Sequence, residues 1–127
     1  MTRDQTHAEA RAMTRHLLLL DIDPSSDSIA AYRDWHRAGG PPAAINRSIR
    51  ASGIESLEIW HVGDRLAMVM ETGPAFSATA KAAADAADPD VQAWEALMEK
   101  FQRRLPFAAP GEKWVAAERI YSLDEQP

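Results

Sequence analysis

Residues 56–72 read SLEIWHVGDRLAMVMET, two apolar, alternating runs joined by Gly63-Asp64. Alternation of apolar and polar residues predicts β-strands with one buried face, and a two-residue connection containing glycine predicts a tight turn. We therefore predict a strand over 56–62 and its antiparallel partner over 65–72. This hairpin favours fold classes that contain an antiparallel sheet.

The segments on either side of the hairpin carry alternating strand and helix signals. Before it we predict a buried strand over 16–22, a helix over 29–36 that Gly39-Gly40-Pro41-Pro42 interrupts, and a helical segment over 42–52. After it we predict a helix over 76–87, its restart at Asp88-Pro89 and continuation to about 104, and a strand over 113–121. The resulting order predicts an α+β fold, the ferredoxin-like βαββαβ arrangement with a four-stranded antiparallel sheet.

A four-stranded sheet with helices on one face leaves its other face uncovered. In a chain of 127 residues the usual remedy is a second copy that packs sheet against sheet, so we predict a homodimer. The single folded domain is predicted to cover residues 15–123. Residues 1–14 are predicted to form a flexible N-terminal tail and residues 124–127 a C-terminal tail.

The composition excludes several classes of site. The chain has no cysteine, which rules out disulfides, thiolate nucleophiles and zinc–thiolate centres and favours a reducing compartment. Its net charge is -5 and its 14 basic residues are scattered, which argues against nucleic acid as a partner. No run approaches the roughly 20 apolar residues that span a bilayer, and the first residues do not resemble a signal peptide. We expect a cytoplasmic protein without a membrane partner.

The best candidate for chemistry is the pair formed by Tyr32 and His36. The two residues are four apart, so they share one face of the predicted helix. A phenol and an imidazole that converge on one cavity suit general acid–base catalysis near neutral pH. Spacing alone also fits the plainer alternative, in which both are structural residues.

Other polar and aromatic residues allow two interpretations. Trp94 offers a flat apolar face on which sugar rings stack and Glu95 can bind hydroxyl groups, although Trp94 alone is more typical of a core residue. Trp60 is equally ambiguous. Glu58 and Glu71, on the paired strands, fit either a catalytic or metal-binding pair or two exposed carboxylates. The four histidines lack metal-ligand spacing, and no phosphate-binding or dinucleotide-binding glycine motif is present, so we expect neither metal nor cofactor.

Five parts of the sequence form a combined pattern: Tyr32-x-x-x-His36, the hairpin, and segments 82–89, 91–98 and 110–115. In their order and spacing they resemble the L-rhamnose mutarotase family. The similarity spans about residues 15–123, and the branch of the family associated with L-fucose is the more similar one. The resemblance implies a dimeric ferredoxin-like α+β barrel that interconverts the α and β anomers of a 6-deoxy-hexose without a cofactor.

The resemblance also assigns roles to individual residues. It implies that His36 is the catalytic proton donor, that Tyr32 binds sugar, and that Trp94 and Glu95 occupy the sugar-binding position of the last helix. Leu57 stands where the rhamnose branch has a sugar-contacting tyrosine, and Glu95 where it has a second tryptophan. After His36, Gly40-Pro41-Pro42 replaces the Trp-Pro-Glu segment of the family.

Three functional hypotheses follow. The first is a mutarotase for a 6-deoxy-hexose, with L-fucose preferred over L-rhamnose, in which positioned groups move protons to and from the sugar. The second is a dimeric sugar-binding domain of the same fold without catalysis, which the changed segment after His36 favours. The third is a cofactor-free monooxygenase or cyclase of the wider dimeric α+β barrel group, which only the fold supports.

Overall fold

The sheet is built around one central strand. The computed structural model describes residues 13–127, so residues 1–12 of the predicted tail lie outside the described part of the chain. The strands are β1 (Thr14–Ile22), β2 (Ile54–Val62), β3 (Arg65–Thr72), β4 (Gln102–Arg103) and β5 (Val115–Ala116). Their order is β2-β3-β1-β4, β5 also pairs with β1, and all pairings are antiparallel.

Four helices accompany the sheet, and polar caps begin three of them. They are α1 (Ser26–His36), α2 (Ala43–Ala51), α3 (Ala78–Ala87) and α4 (Pro89–Glu99). Ser25 caps α1 and Ser77 caps α3, each by accepting a hydrogen bond from a backbone N–H of the first turn. Asp88 ends α3 and also caps α4. No helix within residues 13–127 is long and apolar enough to cross a membrane.

The core lies between the helices and one face of the sheet. Leu20, Ile22 and Leu66 are each less than 2% exposed, and Tyr32 of α1 and Met98 of α4 pack with them. Because side chains alternate along a strand, the neighbours Leu17 and Leu19 point to the other face. The helices therefore cover the face that carries Leu20.

The opposite face of the sheet carries apolar side chains, and nothing within residues 13–127 covers them as the helices cover the first face. We call this opposite face the open face. Cross-strand pairing of Leu17 with Val69, of Leu19 and Trp60 with Ala67, and of Val62 with Arg65 places these residues together there. Trp60 is 62% exposed and Val62 is 76% exposed, far more than core residues of these types.

The α+β class, the antiparallel sheet and the hairpin are confirmed, but the sheet has five strands instead of the predicted four. The difference arises in the last third of the chain. Helix α4 ends at Glu99 instead of continuing to about 104. The Phe101 carbonyl accepts a hydrogen bond from Asp23 N at 2.7 Å, and Gln102 pairs with Ile22. The chain leaves the helix because the free edge of β1 offers these backbone partners.

The predicted strand over 113–121 is also shorter in the structure. Only Val115 and Ala116 form β5, and one more backbone bond joins Ala117 N to the Leu17 carbonyl at 2.8 Å. Beyond that point Ile120 is 94% exposed, so no apolar burial holds this segment against the sheet.

Candidate active site

The site begins at the carboxyl end of α1, where Tyr32 and His36 stack on each other. Their ring centroids are 4.1 Å apart, as the spacing of one helical turn predicts. His36 Nδ1 lies 2.6 Å from the Tyr32 carbonyl oxygen. Because a carbonyl only accepts, Nδ1 carries the proton, and the Nε2 atom of neutral His36 keeps its lone pair. The geometry therefore presents Nε2 as a base.

Burial shifts the pKa values of both side chains. It lowers the pKa of His36 below the usual histidine value, although the hydrogen bond to the Tyr32 carbonyl opposes this shift. It also raises the pKa of the Tyr32 hydroxyl, and the hydrogen bond from Gln102 offsets part of that rise. At neutral pH the site therefore holds a neutral imidazole and a protonated phenol.

Trp94 joins this pair to the last helix. Its ring centroid is 5.6 Å from that of His36 and 6.0 Å from that of Trp35, both in edge-to-face geometry. Trp94 projects from α4, whose first turn Asp88 fixes through hydrogen bonds to Asp90 N and Val91 N. The histidine and the tryptophan thus come from two different helices that meet through these aromatic rings.

A cavity of about 770 Å³ opens beside this cluster, within the size range of small-molecule sites. Leu57, Trp94 and Glu95 line it, as does Gln102, whereas Tyr32 and His36 do not. The structure thus places three of the five predicted site residues on the cavity wall. The other two contact residues of that wall: half-buried His36 meets Trp94, and buried Tyr32 meets Gln102.

Gln102 is the site residue that the sequence analysis missed. The helical pattern through Phe101 extended the predicted last helix across it, so no signal marked it as part of a strand. In the structure its Nε2 atom donates a hydrogen bond to the Tyr32 hydroxyl oxygen at 3.3 Å. Trp114 and Lys113, from the loop before β5, also line the cavity.

The remaining candidate residues lie elsewhere. Glu58, Trp60 and Glu71 belong to the open face, across the sheet from the cavity, and Glu71 pairs with Arg15 at 3.3 Å. His61 closes the hairpin by a 2.6 Å contact between Nε2 and the Gly63 carbonyl, in which the ring nitrogen donates. Across residues 13–127, no three His, Asp or Glu side chains are grouped as a metal site.

The segment after His36 determines where α1 ends. Gly39 adopts a left-handed φ of 79°, and Gly40 N donates to the Arg37 carbonyl at 2.8 Å. A Cβ atom on Gly40 would lie 2.5 Å from the Trp35 carbonyl oxygen, which no backbone tolerates without moving. Two glycines therefore allow the chain to turn tightly against the last turn of the helix that carries His36.

The chain is similar to known proteins in sequence and in fold. The family model described as L-rhamnose mutarotase matches residues 15–123. An L-fucose mutarotase of Xanthomonas campestris pv. campestris is 46% identical over 114 residues, which cover 90% of this chain and 91% of that protein. The crystal structure of an L-rhamnose mutarotase from Formosa agariphila has a similar fold, with a TM-score of 0.63 at 12% identity. That match covers 87% of this chain and 98% of the other.

Proposed function

Because this chain belongs to the L-rhamnose mutarotase family and is a sugar mutarotase, we propose that it interconverts the anomers of L-fucose in preference to those of L-rhamnose. The observation that carries the preference is the 46% identity to an L-fucose mutarotase over 90% of the chain. The cavity supports a monosaccharide substrate, since Trp94 supplies a flat apolar face and Glu95 a carboxylate for hydroxyl groups.

His36 is the proposed acid–base group. In the proposed complex the sugar extends past Trp94, whose ring contacts that of His36, so that its anomeric carbon reaches Nε2. Neutral Nε2 takes the proton from the anomeric hydroxyl and returns it to the ring oxygen, and the bond between C1 and that oxygen breaks. The open-chain aldehyde then rotates about the bond between C1 and C2, and the ring closes on the other carbonyl face with the two proton transfers reversed. The protonated Tyr32 hydroxyl supplies a hydrogen-bond donor beside the imidazole.

Saturation-transfer NMR tests this function directly. One anomeric proton of the sugar is saturated, and the loss of signal at the other anomer reports the exchange rate. We expect purified protein to accelerate exchange of L-fucose more strongly than that of L-rhamnose. Binding of L-fucose without faster exchange would instead select the non-catalytic sugar-binding alternative. Faster exchange of L-rhamnose than of L-fucose would contradict the proposed preference.

The pH dependence of this exchange has a predicted sign. Burial lowers the pKa of His36 from 6.5, so the neutral base predominates at pH 7 and above. We expect the enzymatic rate to be constant through the neutral range and to fall only on the acid side of pH 6.5. The His36 side chain binds a proton more readily in the unfolded chain than in the folded protein. The free energy of unfolding therefore also falls as the pH is lowered. The measurement is the exchange rate as a function of pH, after subtraction of the rate without enzyme. A rate that already declines at pH 7.5 as the pH is lowered would contradict this prediction.

We further propose that the protein forms a homodimer through its open face, in a ferredoxin-like α+β arrangement. The strand order β2-β3-β1-β4 supports the ferredoxin-like assignment. Along the chain, helices connect each inner strand to an outer one, β1 to β2 and β3 to β4. Exposed Leu17, Trp60 and Val62 on one sheet face support a second sheet as its cover.

The substitution Trp60→Glu tests the dimer. We expect the wild-type protein to sediment at twice the 14.0 kDa of one chain. The substitution removes a large aromatic side chain from the proposed interface and buries a charge there. It should raise the dissociation constant of the dimer on the order of 100-fold. The matched control is Phe107→Glu, because Phe107 is 68% exposed but belongs to a turn and not to a strand. Equal dissociation in both variants, or none in either, would contradict an interface at the open face.

A further inference from the structure

Gln102 connects the buried Tyr32 to the cavity. It sits on β4, pairs with Ile22 in the centre of the fold, and forms part of the cavity wall. Its Nε2 atom donates to the Tyr32 hydroxyl oxygen at 3.3 Å. Because Tyr32 itself is only 3% exposed and does not line the cavity, a sugar in the cavity meets Gln102 before it meets Tyr32.

Two hydrogen-bonding capacities of this pair are unused. The Oε1 atom of Gln102 is enclosed and has no donor within residues 13–127. The Tyr32 oxygen accepts from Gln102, and its own proton finds no acceptor in the same part of the chain. Buried polar atoms are nearly always paired in folded proteins, because an unpaired one is destabilising. A free acceptor and a free donor on adjacent side chains are therefore an unusual combination.

One hydroxyl group would satisfy both. A hydroxyl donates its own proton and accepts another, which matches an amide oxygen on one side and a phenol proton on the other. We propose that Gln102 and Tyr32 together bind one non-anomeric hydroxyl of the sugar, with Gln102 Oε1 as the acceptor and Tyr32 as the donor. This inference rests on the proposed sugar substrate, and it makes Gln102 a substrate-binding residue of the enzyme.

The hydroxyl reaches Oε1 through a movement of the Gln102 side chain. Oε1 is closed off in the sugar-free arrangement, but the terminal torsion of glutamine has a broad range. The hydrogen bond to Tyr32 is long at 3.3 Å, so a rotation of the amide that turns Oε1 toward the cavity gives up only a weak bond. The unpaired oxygen favours that rotation, because the bound hydroxyl gives it a partner.

Monodeoxy sugars provide the test. L-Fucose has non-anomeric hydroxyls at C2, C3 and C4, and each can be removed in turn. We expect Gln102→Met to lower kcat/KM for L-fucose about ten-fold, the size of effect that one hydrogen bond supports. We expect the kcat/KM of the wild-type enzyme to be lower by a similar factor for one of the three deoxy sugars than for L-fucose. With that sugar, Gln102→Met should lower kcat/KM no further.

A second variant, Gln102→Glu, keeps the shape of the side chain. An ionised carboxylate accepts from Tyr32 and removes the donor that the sugar needs, whereas the protonated acid restores one donor and one acceptor. We therefore expect the rate of this variant, divided by the wild-type rate at the same pH, to rise as pH falls. Division by the wild-type rate removes the pH dependence that both proteins share, to which neighbouring Tyr32 and His36 contribute. Arg103 also faces this position, since its guanidinium donates to the Gln102 carbonyl.

The outcomes separate this inference from the proposed function. Gln126→Met is the control, because Gln126 lies in an exposed terminal turn, and it should behave as wild type. For each deoxy sugar, kcat/KM is compared with that for L-fucose. If this ratio is the same in Gln102→Met as in wild type for all three deoxy sugars, Gln102 does not bind a hydroxyl. If wild type accelerates neither sugar, the proposed function fails, and calorimetric titration with L-fucose decides about Gln102. Weaker binding by Gln102→Met then supports its role, and equal or undetectable binding overturns it.

Discussion

Replacing His36 with asparagine is expected to slow enzymatic anomer exchange by about 10²- to 10⁴-fold, the usual contribution of a general acid–base group. Asparagine can donate its side-chain N–H to the Tyr32 carbonyl, as His36 Nδ1 does at 2.6 Å, so the end of α1 keeps its hydrogen bond. It has no counterpart of the basic Nε2 atom. The loss should therefore appear in kcat, with little change in thermal stability, when exchange is measured by saturation-transfer NMR.

The control for this variant is another histidine that uses its ring in a structural way. His61 donates through Nε2 to the Gly63 carbonyl, a position that a glutamine side chain can reproduce. His61→Gln should exchange L-fucose at the wild-type rate. A folded His36→Asn protein that keeps more than about half of the wild-type rate would show that the imidazole is structural, since general acid–base groups contribute far more than that.

Gly40→Ala is expected to impair both stability and catalysis. The added Cβ atom would lie 2.5 Å from the Trp35 carbonyl oxygen and 2.9 Å from that of Asp34, so the last turn of α1 must move. Forced overpacking of this kind costs about 1–3 kcal/mol of unfolding free energy. Displacement of His36 by about 1 Å would reduce the exchange rate on the order of 100-fold. Urea unfolding and exchange kinetics measure the two effects.

A substitution at the neighbouring glycine distinguishes the effect of a steric clash from that of backbone strain. Gly39 has φ of 79° and open space around the position of a Cβ atom. Gly39→Ala should therefore cost about 1–2 kcal/mol for the left-handed conformation but leave His36 in place. Full activity in both variants would show that the position of His36 does not depend on this segment.

The hairpin was the most predictable part of the fold, because its determinants are local. Alternating apolar residues and the Gly63-Asp64 turn fix pairing and register within 17 residues, and the observed strands differ only by an earlier start at Ile54. The end of α4 was not predictable in this way. Residues 100–104 carry helical signals, and they leave the helix because Asp23 and Ile22, about 80 positions earlier, offer backbone partners.

The candidate site follows the same division. The stacking of Tyr32 on His36 follows from their spacing on one helix, whereas the cavity wall draws residues from several elements. Leu57 comes from β2, Trp94 from α4 and Gln102 from β4. Periodicity in a single sequence contains no information about which of these distant residues meet. That is why Gln102 was missed and why Tyr32 and His36 were expected to line the cavity themselves, whereas they contact the residues that line it.

The junction at Asp88 has a consequence for how this chain tolerates changes in length. One residue is both the end of α3 and the cap of α4, with no loop between the two helices. Each residue inserted there would rotate the following helix by about 100° relative to the preceding one, or require a new connection. Insertions, deletions and fusion points are therefore best placed at residues 106–111, where an exposed, proline-containing loop can absorb them. At Asp88, the same change would turn the face of Trp94 and Glu95 away from the cavity.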